Sequence, residues 1–130
     1  MKKKTAFTTV ITCMDGRIQL PVLEWIAKHY GKTYPDTITE PGPVKILSEN
    51  QPNEIIKNIK KRLDISMRLH GSKRIFLVAH DDCAGNPVSR EKQWAQMKIA
   101  VENVNQWKPE AEIIPLWVDL NGKVSKLDLN

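Results

Sequence analysis

Five residues in this chain combine type and spacing in a way that points to chemistry: Cys13, Asp15 and Arg17 in one short stretch, His80 and Cys83 in another. Cys13 and Cys83 are its two cysteines. In a reducing compartment such a pair serves metal binding or catalysis rather than a disulfide. An imidazole and a thiol three residues apart can turn toward one ion, and a second thiol completes a soft donor set that selects zinc over calcium or magnesium. Taken singly, each cysteine reads as a small buried hydrophobe; the ligand reading rests on Cys13, His80 and Cys83 together. Three ligands leave one coordination position open, where zinc lowers the pKa of water from about 15.7 toward about 7.

Two thiolates give zinc more charge than imidazoles do, so its water is acidified less unless neighbours compensate. Asp15 and Arg17 are those neighbours. The Asp15 carboxylate is suited to accept the hydroxide's hydrogen bond, and Arg17 to pair bidentately with Asp15 and keep it ionised. Without a metal nearby, Asp15-Gly16 reads as a turn and Arg17 as a solvated charge.

These residues need elements that bring them together. The β-branched run Ala6 to Thr12 predicts a strand ending at Cys13. Pro21 suits a helix's first turn, with Val22, Leu23, Trp25, Ile26 and Tyr30 as its apolar face and Gly31 as its C-terminal cap. Asp36 to Thr39 predicts a second strand, and Glu40-Pro41-Gly42-Pro43 a rigid loop. The Pro-rich stretch from Glu40 to Pro52 reads as a mobile segment. From Pro52 to about His70, Ile55, Ile56, Ile59, Leu63 and Met67 recur at helical steps.

Arg74 to Ala79 is nearly continuous in apolar residues, the pattern of a parallel strand covered on both faces, and it delivers His80 and Cys83. Ser89 caps a last helix carrying Trp94, Met97, Val101 and Val104 and ending before Pro109; Glu112 to Asp119 is a further strand. Asn121-Gly122 marks a hairpin turn into Lys123 to Leu127. Alternating strands and helices imply an α/β fold, a mainly parallel sheet with flanking helices and a C-terminal hairpin. Ligands of such sheets gather beyond the carboxyl ends of strands, where both cysteines fall.

Length and composition agree with one domain over residues 1–130: 41% hydrophobic and 27% charged residues are globular values. The formal charge of +5 begins with Met1-Lys2-Lys3-Lys4, which solubility or a frayed terminus explains, so no nucleic-acid partner is expected. The absence of an apolar run of about 20 residues argues against a membrane span, and the Lys-rich start lacks a signal-peptide core, so a cytoplasmic location is expected. Asp81 and Asp82 read as solvated loop carboxylates, either of which is placed to pass protons. His29 and His70 read as helix-end residues, and Trp25, Trp94, Trp107 and Trp117 as packing in the core or at a subunit interface.

Cys13-Met14-Asp15-Gly16-Arg17 and His80-Asp81-Asp82-Cys83 resemble, in pairing and order, the Cys-X-Asp-Ser-Arg and His-X-X-Cys signatures of β-class carbonic anhydrases. The resemblance covers roughly Thr5 to Leu127. It implies Cys13, His80 and Cys83 as zinc ligands, Asp15 and Arg17 as the catalytic dyad, and hydration of carbon dioxide to bicarbonate. It also implies a homodimer or higher homo-oligomer. Three departures stand out: Gly16 for serine, Ala84-Gly85 where glycine usually follows the cysteine at once, and Glu40-Pro41-Gly42-Pro43 for an Asn-Ala-Gly segment. Glu40 is expected to add a negative charge on the substrate side.

Other readings use the same residues. The altered loop suits another small heterocumulene, such as carbonyl sulfide or carbon disulfide. Asp15 as a fourth ligand would close the site into a structural or regulatory zinc centre. A thiol of Cys13 with its pKa lowered near Arg17 would be a redox or nucleophilic group.

Overall fold

The computed structural model describes residues 6–129; the lysines at positions 2–4 lie outside them. Five strands form one sheet: β1 (Phe7–Cys13), β2 (Tyr34–Glu40), β3 (Arg74–His80), β4 (Glu112–Val118) and β5 (Val124–Lys126). Their order is β2-β1-β3-β4-β5, parallel throughout except for β5, which returns antiparallel to β4. This is the expected α/β architecture, closed by the expected hairpin. At that turn the Asp119 side chain accepts from the Asn121 and Lys123 amides, both at 2.9 Å, an Asx arrangement that fixes the reversal.

α1 (Gly16–Tyr30) covers one face of the sheet through Ile18, Val22 and Ile26, spaced four residues apart and all buried. They pack with Val10, Phe76, Val78, Ile114, Leu116 and Val118. The other face meets α2 (Pro43–Glu49), α3 (Asn53–Asp64) and α4 (Arg90–Asn105). The alternation of side chains along each strand explains the division: within β1, Val10 points to α1 and Ile11 to the opposite core.

Three expectations need correction. α1 begins at Gly16, not at Pro21, because Asp15 caps it, its carboxylate accepting from the Arg17 amide at 2.9 Å. Pro21 sits inside the helix, at the cost of one backbone hydrogen bond. The stretch after Glu40 is not all loop: Pro43 opens α2, whose Val44 and Leu47 are buried in the core. Seven residues give too short a period to stand out in sequence, and only burial of this face between α4 and the sheet holds them helical.

The third correction concerns α4, whose inward face is Gln93, Met97, Ala100 and Val104, with Trp94 38% exposed. A carbonyl sets this rotation: Gln93 is drawn inward to donate to the His80 carbonyl at 2.8 Å. Trp94 instead packs edge-on against the buried Trp117, ring centroids 5.8 Å apart. The cap of α4 is as expected, Ser89 accepting from the Lys92 amide at 3.2 Å. The long periodic stretch after Pro52 is α3 extended by a π-helical turn over Ile65–Leu69.

Candidate metal centre

The sheet order decides where a site can form. The chain leaves β1 toward β2 on one side and then returns to β3 on the other. A crevice opens at such a reversal, beyond the carboxyl ends of the two strands. Cys13 ends β1 and His80 ends β3, and Cys83 follows in the turn. One ligand atom from each of Cys13, His80 and Cys83 lies within 4.8 Å of the others, and all three residues are buried.

His80 is oriented by its backbone surroundings. Its Nδ1 lies 2.8 Å from the Asp81 carbonyl, an acceptor only, so Nδ1 carries a hydrogen, and whenever the ring is neutral it presents a bare Nε2. That Nε2 is buried without a well-formed hydrogen bond, although it lies close enough to the Cys13 sulfur to feel its charge. A buried nitrogen lone pair within 4.8 Å of two sulfurs suits a zinc ligand, with the Asp81 carbonyl as its orienting partner. Burial opposes a charge on the ring, but Cys13 and the Asp81 carbonyl outweigh it and raise the His80 pKa.

The two sulfurs are 3.8 Å apart and share a proton. A hydrogen bond from the Cys83 thiol holds Cys13 well below the usual thiol range, against burial; His80 and the amides of Gly42 and Asp15 add to the lowering. Cys83 keeps its proton: its bond to Cys13, then burial, push it up, while the amides of Gly85 and Asn86 pull the other way. A divalent cation among these donors would take the place of the shared proton. Backbone amides at both sulfurs are suited to disperse the negative charge of two thiolates. The donor set, its burial and the orphaned Nε2 therefore fit zinc.

Asp15 and Arg17 stand beside this cluster, bound to each other. Arg17 Nη2 donates to Asp15 Oδ2 at 2.7 Å and Nε to both carboxylate oxygens at 3.1 and 3.2 Å. Side-chain hydrogen bonds from Arg17 hold the Asp15 carboxyl at about 2, against burial. Arg17 also donates to the Asp82 carbonyl at 3.0 Å, tying the turn after β1 to the turn after β3. Asp82 is left-handed, with φ 57°, and its exposed carboxylate is the solvated loop group expected, 3.3 Å from Arg17 Nη1; Asp81 differs, being half-buried and paired with Arg90 at 2.8 Å.

Two supporting residues escaped the sequence reading. Gln19 Nε2 donates to both the Cys13 and Asp15 carbonyls, at 2.8 and 2.7 Å, fixing the turn that joins a candidate ligand to the dyad. Gln93 holds the His80 carbonyl. A glutamine carries no sequence signal for such a role; its position one turn into a capped helix is visible only once the cap is known. Glu40 also differs from expectation: its side chain is ion-paired with Arg62 of α3, so its charge is compensated. At Gly16 a Cβ would meet no atom within 4 Å, so the space for a serine remains.

Comparisons with known proteins agree on the architecture. A family model described as "Putative carbonic anhydrase" matches residues 3–128. No curated protein matches the sequence. Among solved structures, a carbonic anhydrase from Glaciozyma antarctica is 19% identical with a TM-score of 0.56, the match covering 92% of this chain and 80% of that one. One of two tetrameric β-carbonic anhydrases from Sordaria macrospora is 13% identical, TM-score 0.56, over 95% of this chain and 82% of its own. The β-carbonic anhydrase CafD of Aspergillus fumigatus is 11% identical, TM-score 0.57, over 98% and 91%. With the family model spanning nearly the whole chain and the β-carbonic anhydrase fold reproduced around the cysteine-histidine cluster, the chain belongs to the carbonic anhydrase family which that model describes.

Proposed function

We propose that the chain is a zinc-dependent hydro-lyase that interconverts carbon dioxide and bicarbonate, with Cys13, His80 and Cys83 holding the ion and Asp15 and Arg17 as the catalytic dyad. The observation that carries this reading is the buried donor triangle with an unpartnered Nε2, in a chain of this family. Bound zinc supplies the Lewis acidity that makes water nucleophilic near neutral pH. Asp15, kept ionised by Arg17 down to about pH 2, accepts the hydrogen bond that orients the attacking water. Arg17 fixes the carboxylate while bridging to the Asp82 carbonyl. Gln19 fixes the turn after β1, and Gln93 fixes the end of β3.

An open fourth position is favoured over a closed four-ligand site, because Asp15 is engaged by Arg17 and by the cap of α1. The pairing of Glu40 with Arg62 removes the charge argument for a different substrate. We infer a homo-oligomer in the cytoplasm: Met14, Leu20 and Leu120 are exposed by 63–70% around the turns after β1 and β4, apolar surface that a second copy would cover. The structurally similar Sordaria macrospora enzymes are tetrameric. Among the described residues no helix is long and apolar enough to cross a membrane.

Metal analysis of the wild type and Cys83→Ala, followed by stopped-flow carbon dioxide hydration, tests the reading. Near-stoichiometric zinc, lost in the variant, together with hydration is the expected result. Zinc without hydration would discard the substrate, and freshly prepared wild type without zinc would discard the centre itself.

A further inference from the structure

A second concentration of unusual features lies at the other end of the sheet, about 20 Å from His80 by the rise of a seven-residue strand. Two adjoining cavities of about 620 and 520 Å³ share Asp64, Met67, Arg68 and Trp107 in their walls. Their linings carry six cations, Lys57, Lys60, Lys61, Arg68, Lys73 and Lys108, against two carboxylates, Asp64 and Glu110. Asp64 is already paired with Arg68 at 3.4 Å. This face therefore carries a local excess of positive charge.

Lysines on α3 alone would be the ordinary solvated face of an amphipathic helix. Here Lys73, from the start of β3, and Lys108, from the turn after α4, converge on them from separate elements. The backbone there is special at three points. Met67 and Arg68 belong to the π-helical turn, a rare form that is frequent at functional sites. Lys108 and Glu110 are left-handed, with φ 53° and 54°, on either side of Pro109, a conformation uncommon for residues with a Cβ. Trp107 forms the shared wall, with the Lys60 ammonium 4.9 Å from its ring centroid, which holds that cation at the cavity rather than free in solvent.

We propose that this groove binds a small anion bearing an oligophosphate chain. A single monoanion would reach too few of these cations, whereas a chain of linked phosphates spans ammonium groups contributed by three elements. The cavity volumes are those of small-ligand sites, roughly 300–1,000 Å³. Inorganic oligophosphate and nucleoside triphosphate share the recognising chemistry, and the test separates them.

Isothermal titration calorimetry of the full chain with sodium tripolyphosphate and, separately, with ATP at low salt reads the site. The variants are Lys73→Glu/Lys108→Glu and, as a charge control on α1, Lys28→Glu. The expected result is a Kd below about 1 mM, weakened at least about tenfold in the double variant and less than about twofold in the control. ATP tighter than tripolyphosphate identifies the nucleotide as the source; equal affinities identify the phosphate chain alone. Absence of binding, equal weakening by Lys28→Glu, or heats unchanged in the double variant would overturn the proposal. So would a single-stranded oligonucleotide that outcompetes both ligands.

Discussion

Gly42 and Gly85 pack backbone against backbone, joining the turn after β2 to the turn after Cys83. A Cβ on Gly42, whose φ is 62°, would lie 2.9 Å from the Gly85 carbonyl carbon and oxygen; one on Gly85 would lie 2.6 Å from the Pro41 carbonyl carbon. These two turns supply amides to the two sulfurs, Gly42 to Cys13 and Gly85 to Cys83. The unusual Pro41-Gly42 and Ala84-Gly85 segments are therefore one paired feature.

Gly85→Ala should push these turns apart at a contact between two main chains, where no side chain can give way. The expected cost is about 1–3 kcal/mol of stability, with faster zinc loss to a chelator. Thermal unfolding and zinc release to a chromogenic chelator measure both; unchanged zinc release would remove the role assigned to the paired turns.

Asp15 has two duties that substitutions can separate. Asparagine also caps helices, so Asp15→Asn should keep α1 nearly intact, whereas Asp15→Ala should cost about 1 kcal/mol. Both lose the anionic acceptor, and both should lower kcat/KM for hydration by about 10²-fold or more. If Asp15→Asn keeps wild-type turnover, the carboxylate serves only as a cap.

The same carboxylate gives a pH signature. Arg17 holds Asp15 at about 2, below its ordinary 3.8. Since the folded pKa is the lower one, the ionised form favours the fold. That contribution is complete above about pH 4 and is lost as pH falls through about 2. Compared in chelator, the Tm gap between wild type and Asp15→Asn should be largest above pH 4 and shrink toward pH 2. A gap independent of pH would show that the pair adds nothing to stability.

Leu47 tests whether α2 is a core element. It is fully buried against the α3 and α4 side of the sheet, so Leu47→Ala should cost about 2–5 kcal/mol. Because α2 starts directly after Gly42, zinc release should also accelerate. Urea unfolding with an unchanged m-value would confirm a cavity effect; a cost under about 0.5 kcal/mol, typical of surface positions, would contradict the burial.

Some of this protein is local and therefore legible in its residues. Strand β3 declares itself because burial on both faces favours an unbroken apolar run, here Ile75 to Ala79. Ser89 and Asn121-Gly122 act through hydrogen bonds spanning two or three residues. The pairing of Cys13 with His80 and Cys83 followed from chemistry, since so few side chains can hold zinc. The α2 helix was illegible because seven residues cannot hold a helix without the surface they pack on. The start of α1 is hidden in the sequence because Asp15-Gly16 reads equally as a turn and as chemistry, whereas one carboxylate both caps the helix and binds Arg17. The resemblance places Glu40 as an added charge on the substrate side; its neutralising partner, Arg62, is 22 residues away in sequence and is invisible until the fold pairs them. Residue types thus determined which chemistry was available; only the strand order, which sets Cys13 beside His80, decided where it converges, because contacts between distant segments exist only after the sheet has formed.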